Sequence, residues 1–145
     1  MRRAIECLAV MKRICAWALM TCVIGGVVAA QDSKVQRGKY LVEEVARCQE
    51  CHTPRTDTND FDRAKWMKGA TLVATPSTPI QGWHQKSPDI TATSPLWQRW
   101  GDEGVVKFLE TAKNPRGGKA GAPMPPYTLS PEDAEAIAAY LKSLP

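Results

Sequence analysis

The chain has 145 residues, 43% of them hydrophobic and 7% aromatic, and a formal net charge of +4. Four of its 19 Lys and Arg residues, but one of its 15 Asp and Glu residues, precede residue 31, so the remainder carries a net charge of +1. This near balance excludes a broad basic surface for nucleic acid, and the remaining length fits one domain.

Residues 1–30 are predicted to be an export signal. Lys12-Arg13 forms a basic start, and the apolar stretch 14–30 ends in small residues that suit a signal peptidase. Met11 offers an alternative start, because the basic pair follows it directly. The apolar stretch is slightly shorter than the ~20 residues of a membrane span, so we expect cleavage, with an uncleaved anchor as the alternative. The mature domain then comprises residues 31–145, and only an uncleaved signal would bring it to a membrane.

A helix is predicted from Ser33 to Ala46, because its apolar residues fall mostly on one face: Val35, Leu41, Val42 and Val45. Gly38 lies inside this helix, where glycine costs about 1 kcal/mol relative to alanine. Such a cost usually has a packing reason, so we expect another helix to approach closely at Gly38.

The run Cys48-Gln49-Glu50-Cys51-His52 follows this helix. Cys48 and Cys51 are spaced to form thioether bonds to the two vinyl groups of one haem, and His52 is placed to ligate the iron. A thiol redox pair or half of a zinc site would use the same cysteines. No βαβ pattern supports a thiol redox pair. A zinc site would need further ligands, and the other cysteines all precede residue 31. The run therefore predicts one covalent haem c and leaves no thiol for a disulfide.

The rest of the chain predicts loops and two further helices. Pro and Gly interrupt residues 54–98, and the Trp residues there indicate an ordered loop region with short helical turns such as Asp60 to Met67. A second helix is predicted from Gly101 to Ala112, with Asp102 as its N-cap. The last helix begins at Ser130-Pro131, a capping serine followed by proline at the first helical position. No region is rich in strands, so the fold class is all-α.

The residue opposite His52 decides the function. Two axial ligands suit electron transfer, whereas an open position allows small-molecule binding or catalysis. Met124 is the predicted second ligand, because the prolines beside it hold the loop that presents its sulfur. Met67 has apolar neighbours and is expected to fill the core. His84, Met67 and an open site remain the alternatives to Met124.

Groups around the haem are harder to predict. The Nδ1–H group of His52 should donate to an acceptor, and a backbone carbonyl of the Pro-rich loop is the expected one. Arg63, Trp66 and Trp83 are candidate partners for the haem propionates. The alternative for Arg63 is a solvated surface charge.

With these residues in place, the chain resembles the class I c-type cytochromes of the bacterial periplasm. The resemblance rests on Cys48-Gln49-Glu50-Cys51-His52 near the mature N-terminus, on Met124 far downstream and on the helices beside them. Gly38, Tyr40 and Tyr140 are similar to the residues at which the first and last helices cross in this family. The resemblance implies a cytochrome c-like fold in which the N- and C-terminal helices cross and long ordered loops surround a covalent haem.

A narrower resemblance comes from Gly69, residues 87–91, Trp100 and residues 123–127. They are similar to the haem domains of cytochrome subunits that serve periplasmic alcohol, gluconate and aldehyde dehydrogenases, which usually carry three haem motifs, whereas this chain has one. The implied function is a periplasmic electron carrier rather than an enzyme, either free or a non-catalytic subunit of a dehydrogenase or oxidase chain. Its partners would be redox proteins. The alternative is a haem enzyme or gas sensor with an open axial position.

Overall fold

Helices provide the regular secondary structure of residues 31–145, which are the part of the chain that the computed structural model describes. Within this part, β pairing is limited to isolated bridges, and no helix is both long and apolar enough to cross a membrane. Lys34–Pro145 forms one compact unit. The all-α prediction is confirmed, and the predicted export signal in residues 1–30 lies outside the described residues.

The first helix of this unit, α1, changes its winding before it ends. Residues 34–40 are α-helical, and Leu41–Val45 forms a π-helical turn. The Ala46 N–H donates to the Leu41 carbonyl oxygen over 2.8 Å, which gives the wider ring of the π turn. The predicted helix is confirmed, but its apolar spacing did not predict the π turn. The short helix α2, Gln49–His52, follows at once.

Helix α3, Pro95–Thr111, begins earlier than predicted. The Ser94 hydroxyl accepts from the Leu96 N–H over 3.2 Å, and Pro95 occupies the first turn, where its missing N–H costs nothing. The helical segment before Gly101 was not predicted. Gly101, with φ of +67°, is non-helical and separates two helical segments of α3, so the predicted boundary coincides with this kink. Asp102, the predicted N-cap, follows the kink directly, whereas the N-cap of α3 as a whole is Ser94.

Helix α4, Pro131–Ser143, starts as predicted, because the Ser130 hydroxyl accepts from the Asp133 N–H over 3.2 Å. It crosses α1 at Gly38, where a Cβ atom would lie 1.9 Å from the Ala136 carbonyl oxygen. The close approach expected at Gly38 is confirmed. Two helices can meet this closely only where one of them has no side chain.

The two tyrosines of the predicted crossing behave differently. Tyr140 is buried, and its hydroxyl donates to the carboxylate of Glu43 on α1. Burial and, to a smaller extent, this hydrogen bond raise the pKa of Tyr140 to about 12. Tyr40 is 53% exposed and makes its ring contact with the Arg37 guanidinium, so its expected place in the crossing was wrong.

The core lies where α1, α3 and α4 meet the loops. Leu41, Leu109 and Ile137 supply one buried side chain from each helix, and Met67 is fully buried among them. Met67 is thus the core residue that the sequence predicted. The short helical turn expected at Asp60 to Met67 is a 3₁₀ turn at Arg63–Lys65.

Candidate cofactor site

Helix α2 presents its reactive side chains on one side. The His52 N–H donates to the Cys48 carbonyl oxygen over 2.9 Å, and residues three and four apart on such a turn are neighbours. The Cys48 N–H in turn donates to the Val42 carbonyl oxygen over 3.0 Å, which ties α2 to the π turn of α1. Cys48, Cys51 and His52 therefore face a common space.

That space is a cleft of about 540 Å³, to which segments far apart in the chain contribute. Cys48, Cys51, His52 and Met124 all line it. A smaller, apolar cavity of about 110 Å³ shares eight of these lining residues, including His52 and Met124. The apolar side chains of the cleft and cavity include Ile90, Leu96, Trp100, Val105, Phe108, Leu109 and Tyr127.

His52 is held by one ring nitrogen. Its Nδ1–H group donates to the Pro88 carbonyl oxygen over 2.8 Å, which confirms the expected backbone acceptor in the Pro-rich loop. Because a carbonyl only accepts, this bond fixes the proton on Nδ1 and leaves Nε2 as the nitrogen with a free lone pair. Burial lowers the pKa of His52, against the opposing effect of the Pro88 bond, and so favours the neutral imidazole that a metal ion requires.

The two thiols are poorly suited to disulfide chemistry. Burial raises the pKa of Cys48 to about 11 and also raises the pKa of Cys51. Reactive redox thiols instead have a lowered pKa, because the thiolate is the nucleophile. Among residues 31–145, no group of three or more His, Cys, Asp or Glu side chains is arranged to hold a metal ion by itself.

Met124 lies on a short loop before α4. The Met124 N–H donates to the Gly121 carbonyl oxygen over 3.2 Å, and the side chain is half-buried against both the cleft and the smaller cavity. Tyr127, a few residues on, also lines the cleft and donates from its hydroxyl to the Ala46 carbonyl oxygen over 3.4 Å. Met67 lines neither space, so of the two methionines in residues 31–145 it is Met124 that lines the cleft.

His84 also reaches the cleft, at an exposed position. Its backbone N–H donates to the Ala122 carbonyl oxygen over 2.7 Å, and its ring lies against Gly121. The loop that carries His84 is thereby joined to the loop that carries Met124.

The charged residues of the cleft differ from those predicted. Arg63, Trp66 and Trp83 do not line it: Arg63 stacks over the Trp66 ring at 4.1 Å, and the Trp83 indole donates to Gln85. The lining of the cleft therefore does not support their predicted contact with the propionates, since Arg63 and Trp66 face each other and Trp83 faces Gln85. The charged side chains that do line the cleft are Arg47, Glu50, Lys86 and Lys119. No local sequence pattern distinguishes the two lysines from other surface lysines.

These residues fit a covalently bound haem. The apolar walls match a flat apolar macrocycle, the two cysteines stand at thioether spacing, and an imidazole with a free Nε2 lines the same cleft as a thioether sulfur. The structure thus brings together Cys48, Cys51, His52 and Met124, which are the four site residues predicted from the sequence.

Comparison with known proteins agrees with this chemistry. A family model described as Cytochrome c matches residues 35–145. A "Diheme cytochrome c-type" of Cereibacter sphaeroides is 34% identical over 115 residues, which are 76% of this chain and 35% of that protein. The "Fructose dehydrogenase cytochrome subunit" of Gluconobacter japonicus is 34% identical over 75% of this chain and 22% of that protein.

A third relative, the "Gluconate 2-dehydrogenase cytochrome c subunit" of Pantoea cypripedii, is 34% identical over 80% of this chain and 27% of that protein. The chain therefore spans about a fifth to a third of the length of these curated relatives.

Proposed function

Because the chain belongs to the cytochrome c family, we propose that it is a periplasmic electron carrier with one haem c. In this proposal Cys48 and Cys51 would form the two thioethers, and His52 and Met124 would ligate the iron. Haem, when bound, supplies an iron that accepts and releases one electron. The observation that carries the proposal is the common cleft lined by these four side chains.

Each of these residues has a physical task. The Pro88 carbonyl holds the His52 imidazole in one orientation and one tautomer, which keeps Nε2 available. The loop between Gly121 and Tyr127 holds the Met124 thioether, a weaker donor than imidazole that favours the reduced state. The apolar side chains of the cleft would cover the haem faces and keep water from the iron. Two fixed ligands and a dry site suit electron transfer without bond chemistry.

The location and partners belong to the same proposal. The export pattern of residues 1–30 supports delivery to the periplasm, where covalent haem attachment by a C-x-x-C-H run takes place. Relatives named as cytochrome subunits of fructose and gluconate dehydrogenases support a dehydrogenase as the electron donor and a non-catalytic role for this chain. The chain would serve either as a free carrier or as a subunit of such a complex.

Absorption spectra of the matured protein, oxidised and reduced, with and without carbon monoxide, test the proposal. We expect a low-spin c-type spectrum that carbon monoxide does not change. A high-spin spectrum that shifts with carbon monoxide would indicate an open axial position and thus a haem enzyme or gas sensor. A protein without a haem spectrum would contradict the family assignment of Cys48 and Cys51.

The assignment of Met124 has its own test. Met124→Ala should give a high-spin or ligand-exchanged iron with a lower midpoint potential, because the thioether is lost from the cleft. Met67→Leu is the matched control: it changes a methionine of the core that does not line the cleft, at a cost below about 1.5 kcal/mol. An unchanged spectrum in Met124→Ala would refute the assignment.

A further inference from the structure

The charges that line the cleft are unevenly paired. Among the described residues, the lining includes Arg47, Lys86 and Lys119 as cations and Glu50 as the carboxylate. Both oxygens of Glu50 are already bound, one by Arg47 at 2.6 Å and the other by Arg55 at 2.6 Å. Within residues 31–145, Lys86 and Lys119 therefore line the cleft without an ion-pair partner.

The backbone of Lys86 is fixed at the base of a long loop. Lys86 and Thr71 form an isolated antiparallel bridge. On one side of it the Leu72 N–H donates to the Gln85 carbonyl oxygen over 2.8 Å, and on the other the Ser87 N–H donates to the Ala70 carbonyl oxygen over 2.9 Å. The lysine is thus presented to the cleft by a closed loop base rather than by a free loop tip.

Lys119 is presented in the same way from a different segment. It forms an antiparallel bridge with Lys113, and the turn between them is braced by Asn114. The Asn114 side-chain oxygen accepts from the Arg116 N–H over 2.9 Å and from the Gly118 N–H over 3.1 Å. Two lysines from separate, braced segments thus converge on one cleft, although no charge within the described chain balances them.

A haem carries two carboxylates on an otherwise apolar ring. The cleft matches this distribution of charge, because its walls are largely apolar and two of its lysines have no ion-pair partner among residues 31–145. We propose that Lys86 and Lys119 bind the haem carboxylates and raise the reduction potential of the iron; this inference rests on the proposed function. Lysine at such a place neutralises a carboxylate that would otherwise favour the oxidised, more positive iron.

The test compares midpoint potentials of four single variants of the matured protein, each with glutamine in place of one lysine. Lys86→Gln and Lys119→Gln remove a cleft lysine. Lys113→Gln and Lys68→Gln are matched controls, because both lysines are exposed, neighbour the same loops and do not line the cleft. Lys86 and Lys119 are also exposed, so we expect each cleft variant to lower the equilibrium constant for reduction about two- to fivefold, the range of solvent-exposed ion pairs, and each control to change it less.

A second measurement separates carboxylate binding from a general effect of charge. Redox-induced infrared difference spectra report the stretching bands of the haem carboxylates. These bands should shift in Lys86→Gln and Lys119→Gln, stay in place in the two controls, and return toward the native position in Lys86→Arg, which restores the charge. The low-spin absorption spectrum, recorded on each sample, shows that the variant has matured and folded.

The outcomes are distinct from those of the proposed function. Two results would overturn the lysine assignment but not the proposed electron carrier, provided that the variants contain native low-spin haem. Either the midpoint potential falls equally in cleft and control variants, or no variant shifts the carboxylate bands. A protein that attaches no haem would overturn both. A shift in the cleft variants alone would support the assignment.

Discussion

At the scale of single residues, Gly69 holds the loop that supports His52. Its N–H donates to the His52 carbonyl oxygen over 2.8 Å. A Cβ atom on Gly69 would lie 2.7 Å from the Ser87 carbonyl oxygen and 2.9 Å from the carbonyl carbon of Pro88, the residue that accepts from the His52 ring. With φ of +86°, Gly69 also adopts a backbone conformation that disfavours other residues.

Gly69→Ala should therefore destabilise the matured protein by more than the cost of placing alanine at a positive φ, because its Cβ would also contact the backbone of residues 87–89. Gly82→Ala is the matched control, because Gly82 has φ of +78° and no atom within 4 Å of the added Cβ. We expect Gly82→Ala to lower the free energy of unfolding by about 1 kcal/mol, and Gly69→Ala by about 3 kcal/mol because the 87–88 backbone must also move. Denaturant unfolding measures both. Equal losses would show that the close approach at Gly69 costs nothing.

The sequence predicted the site residues better than their surroundings. Cys48, Cys51 and His52 follow from short-range spacing, and Met124 was the methionine of the mature chain that prolines hold in a loop. The backbone acceptor for His52 was also foreseen, because a buried ring N–H needs one. Lys86 and Lys119 were not predicted, because their approach to the cleft depends on how two loops close, and this leaves no periodic pattern in the sequence.

At the scale of elements, prediction succeeded where capping and periodicity agreed. Helix α4 has a capping serine, a proline at its first turn and an apolar stripe, so its start was predicted correctly. The start of α3 has the same signals at Ser94 and Pro95, but the prolines and glycines of residues 54–98 favour a loop, so the sequence predicts only the segment of α3 that follows the kink at Gly101. The π turn of α1 was not predicted because the apolar residues fit an ordinary helix; Val45, at the end of this turn, is 58% exposed although the sequence predicts it on the apolar face.

The crossing of α1 and α4 yields a prediction at this scale. Gly38→Ala would place a Cβ atom 1.9 Å from the Ala136 carbonyl oxygen and 2.8 Å from the Tyr140 Cβ, so the helices must separate. We expect a loss of about 3 kcal/mol in the free energy of unfolding, despite the better helix propensity of alanine. Thermal or denaturant unfolding of the haem-containing protein would measure this loss.

Gly104→Ala in α3 is the comparison for that variant. A Cβ atom there would meet its nearest neighbours, the Pro115 Cγ and the Trp100 Cβ, at 3.1 Å, a distance that small side-chain shifts can relieve. The gain in helix propensity, about 1 kcal/mol, then offsets much of the cost. Similar free energies of unfolding for Gly38→Ala and Gly104→Ala would mean that α1 and α4 can separate at Gly38 without loss of stability.

At the scale of the whole molecule, the cleft and the helical core share their walls. Leu109 and Ile137 belong to the buried cluster of α3 and α4 and also line the apolar cavity that adjoins the cleft. The same side chains would therefore contact both the polypeptide core and the cofactor. A domain of this size has a free energy of unfolding of about 5–15 kcal/mol. Whether these shared side chains are covered by haem or exposed to water can therefore decide whether the domain folds.

A chain that cannot attach haem should therefore lose cooperative folding. In Cys48→Ala/Cys51→Ala, the apolar walls of the 540 Å³ cleft would face water, and a cavity of 110 Å³ costs about 2–3 kcal/mol if it stays dry. We expect circular dichroism to show reduced helix content and a broad thermal transition for this double variant. Met124→Ala keeps the bonds from Cys48 and Cys51 to haem and should retain a sharp thermal transition. It loses an iron ligand but not the cofactor that fills the core. A sharp, native-like transition in the double variant would instead show that α1, α3 and α4 form a self-sufficient core, and that the haem adds electron transfer without adding fold stability.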